Sequence, residues 1–156
     1  MKSKTGTMLS LLVLATLCVL AAQAREKQVK RSDLPAPVQK TADEQSQGAT
    51  VRGYSSEIEE GKQVYEVEMT VSGHGKDVTI AADGTVLEVE EQVALEALPA
   101  ALREALQKKA GAGTITKVES LTKGGKLVAY EAQVRTQGKR SEIQVGPNGE
   151  SLKHPE

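Results

Sequence analysis

Leu34-Pro35-Ala36 returns as Leu98-Pro99-Ala100, Thr50 as Thr114, and Gly61-Lys62 as Gly125-Lys126, each 64 residues further on. One residue then enters, and the spacing becomes 65: Tyr65-Glu66 matches Tyr130-Glu131, Gly73 matches Gly138, Asp83-Gly84 matches Asn148-Gly149, and Leu87 matches Leu152. Register kept over that distance, with glycines held, marks a duplicated supersecondary unit. No other feature constrains the fold as strongly, because what the first half forms the second must form too.

Each copy opens with a helix pattern. Pro35 suits a first helical position, where a missing N–H removes no intrahelical bond. Leu34, Val38 and Ala42 share one face, the polar run Asp43 to Gln47 follows, and Gly48 ends it. The second helix, from Pro99 to Ala110, carries the fuller stripe of Leu98, Leu102, Ala105, Leu106 and Ala110. Lys108 and Lys109 lie near its negative end, and Gly111 or Gly113 closes it.

Four extended runs follow each helix. They are Thr50–Glu59, Gln63–Ser72, Lys76–Ala81 and Thr85–Glu90 in the first copy. In the second they are Thr114–Leu121, Leu127–Thr136, Ser141–Val145 and Glu150–Lys153. Tyr65, Val67, Met69 and Val71 alternate with Glu66, Glu68 and Thr70, as Tyr130, Ala132 and Val134 do with Glu131, Gln133 and Arg135. This period of two means a strand with one buried and one wet face. Glu60-Gly61, Gly124-Gly125, Asp83-Gly84 and Asn148-Gly149 supply hairpin turns, and such short connections force antiparallel neighbours. The expected class is therefore α+β: a tandem duplication, each copy one helix packed on its own four-stranded antiparallel sheet. A unit of about 60 residues is marginal alone, so the copies should pack together, edge-to-edge union into a longer sheet being one arrangement.

Lys2 and Lys4 precede the apolar run Met8 to Ala22, and Ala22-Gln23-Ala24 has the small-x-small pattern of a cleavage site. This reads as a signal peptide over 1–24, in preference to a retained anchor, with a flexible linker over 25–33. Cys18 falls within the leader, leaving no cysteine and no redox chemistry beyond it. The expected address is periplasmic or secreted. The chain holds 20 Lys+Arg against 21 Asp+Glu; removing Lys2 and Lys4 leaves 18 against 21, a net of −3. That excludes the basic footprint of a nucleic-acid binder, and no membrane contact is expected after cleavage.

No reactive constellation emerges. His74 and His154 lie in loop or tail sequence without metal-ligand spacing. Ser55, Ser56 and Ser141 lack a nucleophile context, and the glycines are turn glycines rather than a phosphate loop. Glu57, Glu59, Glu66 and Glu68 could lie close together on neighbouring strands and hold Ca²⁺, or steer a basic peptide. Without calcium-loop spacing, a solvated face is the favoured reading, and neither cofactor nor metal is expected.

The paired Leu-Pro-x-x-Val/Leu helix openings, Gly-Lys hairpins, Tyr-Glu strands and Asp/Asn-Gly turns resemble PepSY and PepSY-like domains, which are grouped with the β-lactamase-inhibitor-like proteins. The resemblance runs from about Leu34 to Leu152 and implies repeats over 34–91 and 92–156. It implies an exported module that binds or restrains peptidases or other envelope proteins; that no enzyme is expected rests on the lack of a reactive constellation. Tight interfaces lean on Trp, Tyr and Arg anchors, whereas this chain has no Trp, no Phe and three Tyr. With Tyr65 and Tyr130 placed in the core, Tyr54 alone is left available. The expected function is thus non-catalytic contact with an envelope or secreted protein or peptide through the open sheet face, at Glu66, Glu68, Thr70, Glu131, Gln133 and Arg135. The alternative is a cation or small-ligand sensor using the acidic face of the first repeat.

Overall fold

A computed structural model describes residues 26–156; the leader over 1–24 lies outside the described residues. The elements run β1 (Lys27–Val29), α1 (Ala36–Gln45), β2 (Thr50–Glu59), β3 (Lys62–Val71), β4 (His74–Ala81), β5 (Val86–Gln92), α2 (Ala100–Ala110), β6 (Thr114–Lys123), β7 (Lys126–Thr136) and β8 (Lys139–Val145). A single 3-10 turn precedes each helix, at Arg31–Asp33 and Leu95–Ala97.

The strands form one sheet in the order β1-β2-β3-β4-β5-β6-β7-β8, every neighbour antiparallel. This corrects the expectation of two four-stranded sheets, each under its own helix. What joins the halves is the ladder from Glu88↔Lys123 to Gln92↔Glu119 between β5 and β6. Two open sheets would each expose unpaired backbone groups at that edge, and pairing them removes both edges at once.

Two more expectations change with it. Lys27–Val29, read as linker, is an edge strand on β2, with Val29 opposite Tyr54. Its backbone takes up β2's free ladder, so it needs little apolar content of its own. Conversely, Glu150–Lys153 forms no strand, and the second half contributes three. Leu152 is the one apolar side chain from Ser151 to Glu156, and Pro155 has no N–H to give to a ladder.

Both helices lie on one side of the sheet, each over its own core. Val38 and Ala42 of α1 pack on Val67, Met69, Val78 and Ile80, with Tyr54 and Tyr65 at the margin. Leu102 and Leu106 of α2 pack on Val118, Ala132 and Val145, with Tyr130 and Ile143 alongside. Tyr54, expected to be available, is thus partly covered by the first core.

Local geometry recurs at matching positions. Each helix begins after an extended proline, Pro35 or Pro99. A bulge interrupts β2 between Val51 and Gly53 and β6 between Ile115 and Lys117. The Ala81 N–H donates to the Thr85 carbonyl as the Gly146 N–H donates to that of Glu150, both at 2.8 Å. Gly84 and Gly149 sit in those turns at φ 90° and 86°. A Cβ on Gly84 would lie 3.0 Å from the Pro37 carbonyl oxygen, and one on Gly149 3.4 Å from that of Ala101. Glycine is needed there twice over, for the left-handed backbone and for the close helix.

Candidate functional site

Directly paired residues in a sheet point to the same side, and successive residues to opposite sides. The register therefore assigns the face away from the helices without ambiguity. In the first half Glu66, Glu68 and Thr70 of β3 share it with Thr79 and Asp77 of β4. In the second, Glu131, Gln133 and Arg135 of β7 share it with Gln144, Glu142 and Arg140 of β8. All six residues expected to bind a partner lie on this face, in two groups separated by β4 to β6.

Those middle strands carry the part that the sequence reading missed. Asp77 stands opposite Glu90, and Gln92 opposite Glu119, which in turn faces Glu131. One carboxylate oxygen from each of Asp77, Glu90 and Glu119 lies within 4.8 Å of the other two. Across the central band, Glu66, Glu68, Asp77, Glu88, Glu90, Glu119 and Glu131 are set around Arg52, Lys117 and Lys123, with Lys62, Lys126 and Arg135 on the same side toward the strand ends. Glu57, Glu59, Glu66 and Glu68 share the side but are not the set whose oxygens converge.

The cations sit among the acids. The Arg52 guanidinium donates to Asp77 Oδ1 at 2.9 Å and lies 3.9 Å from Glu68, reaching this side because the bulge in β2 turns it there. Lys123 pairs with Glu88 at 3.2 Å, and Lys117 Nζ lies 2.5 Å from Glu119 Oε1. Gln144 donates to Glu131 at 2.8 Å. Glu119 is 3% exposed, and its Oε1 accepts no hydrogen bond. The Lys117 ammonium is its charge partner.

Crowding and burial hold protons on this face. Glu66 is raised to about 7, chiefly by desolvation and then by Asp77, Glu26, Glu68 and Glu57. Glu90 is raised to about 8, again by desolvation first and then by Glu119, Glu131, Glu88 and Asp77. Burial also raises Glu131 and Asp77, the latter against the pull of Arg52 and Lys117. The physical cause is common to all: charged forms lose water here and meet like charge.

Beside the band, Val64, Leu121 and Ala129 are buried on this same face. A shallow cleft of about 1160 Å³ opens over Val64, Ala81, Leu87, Glu88 and Lys123, with Glu156 at its rim. The Glu156 N–H donates to Gln144 Oε1 at 2.8 Å, so the tail touches the face at that point. His74 lies on the helix side, 2.9 Å from Glu91, and His154 is in the tail. Neither joins the acidic group. No helix among the described residues is long and apolar enough to cross a membrane.

No family model matches the chain, and no curated protein matches it in sequence. Solved structures do resemble it. A candidate periplasmic protein of Bacteroides eggerthii superposes with a TM-score of 0.62 at 18% identity, covering 77% of this chain and 86% of its own. A DUF2874 family protein of Bacteroides ovatus gives 0.60 at 18%, covering 77% and 85%. A BLIP-like protein of Bacteroides fragilis gives 0.57 at 19%, covering 76% and 83%. At these identities the likeness concerns architecture: helices on one side of an antiparallel sheet is a fold this chain has in common with BLIP-like and DUF2874 proteins.

Proposed function

We propose that the chain is a non-catalytic, exported binding module that contacts a protein or peptide through the face away from its helices. The observation that carries this is the acid-rich band from β3 to β7 on the face that neither helix covers. Carboxylates crowded at the centre of that band, beside a shallow cleft with an apolar floor, suit a partner segment that presents Lys or Arg. Charge complementarity of this kind steers encounter and sets specificity more than it adds affinity. With few aromatic anchors present, a weak, salt-sensitive contact fits better than tight inhibition, and restraint of an envelope peptidase is one use of it.

An address in the periplasm or outside the cell belongs to the same proposal. Its supports are the basic, apolar leader sequence and the fold shared with the B. eggerthii protein. A PepSY-like tandem origin is proposed as well, supported by the matching bulges, proline starts and helix-packed turn glycines of the two halves.

The test is site-specific photo-crosslinking in the native envelope. A crosslinker at Thr70 or Gln133 should capture one identified partner, and a crosslinker at Lys108 on the outer side of α2 should not. Charge reversal by Glu66→Lys/Glu68→Lys, or a rise to about 0.5 M salt, should abolish capture. A partner trapped equally through Lys108, or indifferent to both perturbations, overturns the reading.

A further inference from the structure

We propose that residues 151–156 form a displaceable strap over the helix-free face, lying where a partner's segment docks and keeping the site closed until one arrives. This names a regulation of the binding face described above and rests on that reading.

The path of the segment is the first observation. Ser151 stands against α2 on the helix side, lining a small cavity with Ala101 and Ala105. Glu156 lies on the opposite side, where its N–H donates to Gln144 Oε1 at 2.8 Å. Between them the chain passes round the end of β8, from one side of the sheet to the other.

The second observation is burial without a helix. Val64, Leu121 and Ala129 are each 3% exposed or less, yet they point away from both helices and belong to neither helix-covered core. One side of an antiparallel sheet can face water, and apolar side chains this dry on such a side need a cover. The strap supplies it. Its turn begins at Gly146, one step past the Tyr130↔Val145 pair and so beside Ala129. Glu156, at its far end, borders the cleft over Val64 and Leu87.

The third is how lightly the strap is held. It adds no strand to β8. Ser151 and residues 153–156 are exposed, and Leu152 is half-buried. A segment with so little buried apolar surface opens at the low end of the stability range. Its one Lys and one Glu cancel, so it draws little from the acid-rich band. A segment rich in Lys or Arg draws more from that band and displaces the strap. While the strap is down, apparent affinity for the partner is cut by the fraction of molecules that are open.

The test measures binding of a fluorescent hexalysine peptide at low salt, by anisotropy, to the whole chain and to a chain trimmed after Glu150. Trimming removes one Lys and one Glu, so net charge is unchanged, and circular dichroism checks that the fold stays native. The trimmed chain should bind about two- to tenfold more tightly, the equilibrium ratio that roughly one net hydrogen bond is worth. In the whole chain, a photo-crosslinker at His154 should link within the molecule to the helix-free face, and hexalysine should suppress that link; this arm needs no trimmed protein. Equal binding by the two chains, weaker binding by the trimmed chain, or a His154 link indifferent to bound peptide overturns the strap and leaves the binding face standing. Failure of both chains to bind hexalysine overturns the binding reading itself, and the strap's role falls with it.

Discussion

Raising the pH from 5 to 8 is expected to destabilise this protein, the reverse of the usual behaviour of a carboxylate-rich chain. Glu66 and Glu90 hold their protons to about 7 and about 8 in the folded state, against an ordinary value near 4.5 once unfolded. Between those limits the native chain binds more protons than the unfolded one, so stability falls as pH rises. The contribution is fully present below about 4.5 and is gone above about 8. Asp77 and Glu131, also raised, act in the same direction.

Each tenfold difference in proton affinity between the two states corresponds to about 1.4 kcal/mol. Glu66 and Glu90 retain partial contact with water, however, and screening reduces what each delivers to about 1 kcal/mol. Together they should lower the melting temperature by about 5–8 °C between pH 5 and 8 for a chain of this size. The assay is thermal unfolding followed by circular dichroism in chelator at constant ionic strength. The control is the double variant: Glu66→Gln/Glu90→Gln should flatten the profile and raise stability at pH 8. A profile that rises with pH in the unsubstituted chain, or a double variant with the same slope, refutes the reasoning.

Three further outcomes follow from packing and charge. Leu106, fully buried between α2 and the second core, should cost about 3 kcal/mol as Leu106→Ala in urea unfolding, through lost burial plus the cavity left behind. Gly113→Ala should cost about 1–3 kcal/mol by the same assay, because a Cβ there would press into Val134 Cγ1 and Thr136 Oγ1. Arg52→Ala should destabilise by about 1 kcal/mol at pH 8 and less at pH 5, since Asp77 loses its hydrogen-bonded counter-charge and can then recover only by taking a proton.

The hairpins were legible because their signals are local. Alternation in Tyr65 to Val71 and Tyr130 to Val134, with Asp83-Gly84 and Asn148-Gly149 at the turns, marks strand, register and face within a dozen residues. The sides taken by Glu66, Glu68, Glu131 and Gln133 followed from that alternation alone. The β5–β6 ladder is a different matter. Its partners are separated by α2 and its flanking turns, and no residue in β5 declares which edge it will meet. Lys27–Val29 was illegible for a related reason: an edge strand draws its order from its neighbour's free backbone, so a charged tripeptide serves as well as an apolar one. The fourth run of the second half failed in the opposite sense, where matched spacing continued but side chains fit to hold a ladder did not.

That seam explains why the acidic centre could not have been read from spacing. Asp77 and Glu90 become neighbours through an ordinary hairpin, and a careful pattern reading can reach that far. Glu119 arrives only when β6 docks on β5, and it arrives buried, beside Glu90 and opposite Glu131. A sheet that merely needed to close its edge would gain most from apolar residues there, as Leu121 and Ala129 show one step away. Placing a third carboxylate against two others works against folding unless something positive answers it. Within the chain Lys117 and Arg52 answer it in part, two cations to three acids. The third acid, Glu90, is met instead by a proton that it holds to about 8, and a basic partner segment reaching this place would displace that proton.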